Sequence, residues 1–148
     1  MEVPDVGGDT AFTNLATAYE ALSPAFRDTL SSLKLHHTSA SVGEVARLGQ
    51  ERALKEAVNT THPLIITHPV TEKPVLFVNP TIARKVVGFK PEESDHLLGW
   101  LHNHIKSLDF SCRVKWAPRT VIVWDQVSCS LDRKLCLFEA YCRPFSRP

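Results

Sequence analysis

Residues 67–79 rule out more architectures than any other stretch of this 148-residue chain. Pro69 and Pro74 each lack a backbone N–H and hold φ fixed, so no helix runs through them, and Thr71, Glu72 and Lys73 between them are polar. Two apolar, extended runs flank the segment, Leu64 to Ile66 and Val75 to Val78. A tight connection between two strands is the natural solution, and a β-hairpin is predicted over these runs. An all-helical fold is thereby excluded.

Upstream, Val6, Gly7, Gly8, Asp9 and Thr10 read as a turn-forming loop that enters a helix, with two glycines able to take positive φ and an Asp-Thr pair ready to cap or bind. Leu15, Ala18, Tyr19 and Leu22 recur at helical spacing and predict a short amphipathic helix ending near Ser23. Ser23 and Pro24 then open a second helix with an apolar stripe of Phe26, Leu30 and Leu33. His36 and His37 fall in the following loop as a solvated pair. Residues 44–58 are rich in charge and alanine, with Val45, Leu48, Leu54 and Val58 on a thin apolar side, and read as a surface insertion able to form a helix.

Beyond Asn79 and Pro80, an irregular or helical piece extends to Val87 and Gly88. Lys90, Pro91, Glu92, Glu93 and Ser94 open a well-marked helix, with the proline and both acids in the first turn where the helix dipole favours them. Its apolar side is predicted to hold Leu97, Trp100, Leu101, His104 and Ile105. From Ser111 the period becomes two: Cys112, Val114 and Trp116 alternate with Arg113 and Lys115, a half-exposed strand. A turn at residues 117–119 leads to Val121, Ile122, Val123 and Trp124, short and apolar enough for a buried strand, with Asp125 just past its end.

A chain of this length fits one domain and buries about 70% of its unfolded surface. The net charge is +1, with basic residues scattered among acids, so no electrostatic footprint for nucleic acid exists. There is no apolar run long enough for a membrane span, and residues 1–5 are acidic and lack the apolar core of a signal peptide, which predicts a cytoplasmic protein. The four cysteines, three of them crowded at Cys129, Cys136 and Cys142, read as free thiols. A zinc module built from those three with His102 or His104 is the competing idea, but the spacing fits no compact zinc pattern. His102 and His104 also point about 200° apart on a helix and cannot easily share an ion.

Residues 2–10, then 18–23, then Thr67-His68-Pro69-Val70 through Leu76-Phe77-Val78-Asn79, then Arg113, Trp116, Pro118 and Val123-Trp124-Asp125-Gln126 carry a resemblance. In order and spacing they are similar to the taurine/sulfonate dioxygenase family, the iron(II)- and 2-oxoglutarate-dependent TauD/TfdA group, over roughly residues 2–126. The resemblance implies an α+β fold, a partial double-stranded β-helix (jelly roll) with packed helices of the clavaminate synthase kind. It implies Fe(II) and 2-oxoglutarate as cofactors and hydroxylation of a small sulfonate or carboxylate anion. Residues 1–126 would be the dioxygenase-like domain, lacking its N-terminal part, and 127–148 a divergent tail. Thr10 matches the hydroxyl that helps hold 2-oxoglutarate, and Arg143 stands in for the arginine that pairs with its far carboxylate. His68 reads as structural in the hairpin.

The family's iron site needs a His-x-Asp pair and a distant histidine, a facial triad with open positions. The 148 residues contain neither a His-x-Asp nor a His-x-Glu, and no histidine follows His104. Some seven residues beyond Trp124, where the resemblance implies the distant histidine, the sequence reads Val127-Ser128-Cys129-Ser130-Leu131-Asp132. Ile66 also departs from the family's usual arginine, and Arg119-Thr120 from its usual Gly-Asp turn. Two expectations follow. Either the chain is a truncated member cut before the metal pair and divergent after Gln126, or it is a non-catalytic interaction protein whose open sheet edge pairs with a full-length dioxygenase subunit or with another copy.

Overall fold

The computed structural model describes residues 10–40, 56–117, 119–125 and 127–132. Among these residues three small antiparallel sheets, three α-helices and one short 3-10 helix (Leu108–Phe110) make up an α+β arrangement. In the first sheet, β1 (Thr10–Asn14) lies between β7 (Ser111–Val114) and β8 (Cys129–Asp132). In the second, β2 (Lys34–Thr38) is central between β3 (Asn59–Pro63) and β6 (Ala83–Val86). β4 (Ile65–Thr67) and β5 (Pro74–Leu76) form the hairpin that the two prolines demanded.

The hairpin register is Ile65 opposite Leu76, Ile66 opposite Val75 and Thr67 opposite Pro74. His68 N–H closes its turn onto Lys73 O at 2.8 Å, and the left-handed residue the turn requires is Glu72, at φ 57°. Helix α1 (Leu15–Glu20) follows β1 directly, because the Asn14 side chain accepts the N–H groups of Ala16 and Thr17 at 3.0 and 3.1 Å and so caps it. Helix α2 (Pro24–Ser31) starts at its proline. Helix α3 (Pro91–His104) carries Glu92 and Glu93 in its first turn, with Glu93 reaching back to Lys90 N–H at 3.0 Å. The core gathers Leu15, Ala18 and Leu22, Leu30, Leu35 and Leu64, Val75, Leu76 and Val78, and Leu98, Leu101 and Ile105. Buried Ser94 ties α3 to β6 by accepting Val86 N–H at 2.9 Å.

Several expectations need correction. Thr10 opens a strand instead of a loop leading into a helix, because β1 finds partners on both sides more than ninety residues away in sequence. His36 and His37 lie in β2, where the alternation of Leu35 and His37 turns both inward, and His37 is 3% exposed. The piece after Asn79 contains β6, whose pattern buries Ala83 and Val86 and exposes the two residues between them. On α3, Ser94, Leu98, Leu101 and the capping Ile105 are buried, while Trp100 is half exposed on the rim, stacked on His104 at 5.0 Å and edge-on to Phe26 at 4.9 Å. Val121 to Trp124 form no strand, and Val121 and Val123 are exposed. Most of the 44–58 insertion lies outside the described residues, and residues 56–58 are not helical. Among the described residues no helix is long and apolar enough to cross a membrane.

Candidate functional site

The first sheet places the residues of interest. Thr10 and Phe12 share one side of β1, since alternate residues of a strand point the same way. The Trp116 indole, just past β7, donates its Nε1–H to Thr10 Oγ1 at 2.8 Å. That contact decides what the hydroxyl can do: with one lone pair engaged by the indole, its own hydrogen is directed to an acceptor elsewhere. Phe12, 1% exposed, packs its ring against Trp124 with centroids 5.4 Å apart.

Asp125, beside Trp124, is held by four donors. His68 Nε2 lies 2.8 Å from its Oδ2, the Ser128 hydroxyl donates to the same oxygen at 2.7 Å and Ser128 N–H at 3.0 Å, and Val127 N–H donates to Oδ1 at 3.1 Å. Partial burial alone would raise the Asp125 pKa. The bonds from the Ser128 hydroxyl, Val127 N–H, His68 and Ser128 N–H outweigh it and hold the carboxyl well below the usual carboxylate range. His68 Nδ1 meanwhile accepts Val70 and Thr71 N–H at 3.2 and 3.1 Å. The imidazole thus rivets the hairpin turn to the end of the Trp124 segment, a structural role.

Of the two expected cofactor contacts, Thr10 begins β1 and Arg143 lies outside the described residues. Arg113 is opposite Ala11, on the other side of β1 from Thr10. The iron chemistry of the resemblance finds no ligand set: among the described residues no three His, Cys, Asp or Glu side chains come together to hold a metal ion. Leu131 stands opposite Phe12 in β8. The described residues therefore do not fit iron. His104 Nε2 is bonded to Ala18 O at 2.8 Å, and buried Cys129 has its thiol pKa pushed up by burial, so neither is a ready zinc ligand. Cys136 and Cys142 lie outside the described residues.

The sequence reading missed a buried imidazole. His37 packs against His62 and Phe77 with ring centroids 5.4 and 5.3 Å away, and its Nε2 has no hydrogen-bond partner among the described residues. The period-two burial of Leu35 and His37 was the available signal. Burial first, and then the neighbouring His62 and His36, push its pKa below the ordinary 6.5. A histidine held neutral in the fold takes up its proton more readily when unfolded, so its contribution is intact above pH 6.5 and is lost as the pH falls below that value. Unfolding midpoints in urea should drop between about pH 7.5 and about pH 5, and His37→Gln should make the drop shallower. Equal slopes for the two proteins would show that His37 takes no part.

The framework is a dioxygenase scaffold. A taurine dioxygenase from Burkholderia xenovorans superposes with a TM-score of 0.72 at 35% identity, covering 86% of this chain and 40% of that one. The Taurine catabolism dioxygenase TauD, TfdA family matches residues 1–129, and the chain belongs to that family. Alpha-ketoglutarate-dependent dioxygenase cnsM of Penicillium expansum is 42% identical over 127 residues, 83% of this chain and 35% of that protein. An alpha-ketoglutarate-dependent sulfonate dioxygenase of Saccharomyces cerevisiae is 38% identical over 126 residues, 84% of this chain and 31% of that protein. The chain thus spans about a third of the length of these curated relatives.

Proposed function

We propose that this chain is the cosubstrate-side part of an oxygenase for small sulfonate or sulfate-ester anions, dependent on 2-oxoglutarate and iron(II), built on a jelly roll and working in the cytoplasm. Relatives named for sulfonates, sulfate esters and taurine support the substrate class. In this reading residues 1–126 are the dioxygenase-like domain, and 127–148 are a divergent tail whose β8 lies beside β1. Iron(II) with 2-oxoglutarate supplies the oxidising power for such hydroxylations, and in this reading its ligands come from outside these 148 residues, which hold no His-x-Asp pair. The chain by itself is therefore inactive.

The observation that carries the reading is the Trp116-to-Thr10 hydrogen bond. It aims the hydroxyl hydrogen of Thr10 at an incoming carboxylate, with Arg143 the partner of the far carboxylate. Titration with 2-oxoglutarate, followed by NMR, is expected to move the Trp116 indole N–H resonance, and Thr10→Val should abolish the movement. An indole signal that stays in place up to millimolar 2-oxoglutarate would remove Thr10 from the cosubstrate site.

A further inference from the structure

The second sheet carries an imidazole pair that the proposed chemistry does not use. In the register of β2 with β3, His37 stands opposite Thr60 and Leu35 opposite His62, so His37, Thr60 and His62 share one face of the sheet and the two histidines are diagonal neighbours. Their ring centroids are 5.4 Å apart, with the planes inclined at 41°. Phe77 packs against both rings, at 5.3 and 5.9 Å. His36 takes the other face of β2, opposite Thr61 and Lys85.

Each ring of the pair has a nitrogen to spare. His37 is buried, and its Nε2 has no hydrogen-bond partner among the described residues, a costly state for a polar atom out of water. His62 is exposed, and its Nε2 lies 3.1 Å from Thr60 Oγ1. When Nε2 carries the hydrogen and donates it to that hydroxyl, Nδ1 keeps its lone pair. A histidine that binds a metal is held by such a bond from its other nitrogen, which fixes the tautomer and the ring. The separation also suits a shared ion, because Zn–N bonds of about 2.0–2.1 Å in a tetrahedral array set two imidazole centres about 5 Å apart. Burial, and then the neighbouring His62 and His36, lower the His37 pKa, so at neutral pH the ring is in the uncharged form that binds metal.

We infer that His37 and His62 form a two-imidazole site for a borderline divalent transition-metal cation such as zinc, bound by His37 Nε2 and His62 Nδ1 with water in the remaining positions. The ion joins β3 to β2 and gives the orphaned nitrogen a partner. The site supplies two protein ligands where the iron triad needs three, and it does not rest on the proposed chemistry.

Titration with zinc chloride, followed by NMR of the imidazole nitrogens, tests it. The His37 and His62 signals should move together and saturate together, with the change falling on Nε2 of His37 and on Nδ1 of His62. Magnesium, which takes oxygen ligands, should move neither. His62→Gln changes an exposed side chain, so circular dichroism should show it folded, and it should abolish the zinc-induced movement of His37. His36→Gln, on the opposite face, should leave that movement unchanged. Imidazole signals that stay in place at millimolar zinc would overturn the inference, as would movement of one ring alone or a His37 response undiminished in His62→Gln. Zinc taken up by the cysteines with both rings unmoved would overturn it as well, and would leave the pair as packing.

Discussion

Phe12→Ala is expected to lower the unfolding free energy by about 3–5 kcal/mol, the range for deleting a fully buried aromatic ring. Against a total of about 5–15 kcal/mol for a domain, that leaves a marginal or unfolded protein. The size of the effect follows from position. Phe12 is 1% exposed at the centre of β1, with Cys112 opposite on one side and Leu131 on the other, and its ring supports Trp124 at 5.4 Å. Removing the ring opens a cavity in the first sheet and frees the indole that positions the Asp125 anchor. Urea denaturation read by tryptophan fluorescence measures it. A loss below about 1 kcal/mol would mean that the first sheet adds little to the fold.

The second large effect is a missing activity. With iron(II), 2-oxoglutarate and taurine or another sulfonate, the 148-residue chain is expected to form no succinate above the protein-free background. The whole enzymatic acceleration, about 10⁶-fold or more, is lost together. The reason lies in the donors. A facial triad needs three ligand side chains around open positions, and none of the described histidines is so grouped. His68 bonds Asp125, His104 bonds Ala18 O, His96 Nδ1 bonds Glu92 O at 2.8 Å, and His37 is buried against His62. Succinate measured by chromatography decides the matter, and turnover at about 1 per second or faster would overturn both the assignment of ligands and the proposed dependence on residues outside this chain.

What could be read without coordinates was local. Two prolines and two apolar runs specified the hairpin of β4 and β5, Pro24 and Pro91 marked two helix starts, and the alternation from Ser111 marked β7. Thr10 was singled out by its place in a resemblance, before anything was known of its neighbours. Failures came where partners are distant. β1 and β6 are five and four residues long, with too few alternations to stand out, and they form because residues far along the chain pair with them. His37 looked solvated for the same reason, since only pairing with β3 and the approach of Phe77 bury it.

The apolar run from Val121 to Trp124 erred in the other direction. Its composition predicts a buried strand, but burial needs a partner, and the described residues offer none to its valines. Sequence by itself determined the family, the hairpin, two helix starts and the absence of a His-x-Asp pair, because each depends on residue identity or on neighbours a few positions away. Tertiary structure alone decided that Trp116 meets Thr10 across 106 positions, that His68 clamps Asp125, and that Val121 and Val123 are exposed among the described residues. Such contacts depend on which distant backbone groups and side chains share a few cubic ångströms, and no local pattern encodes that.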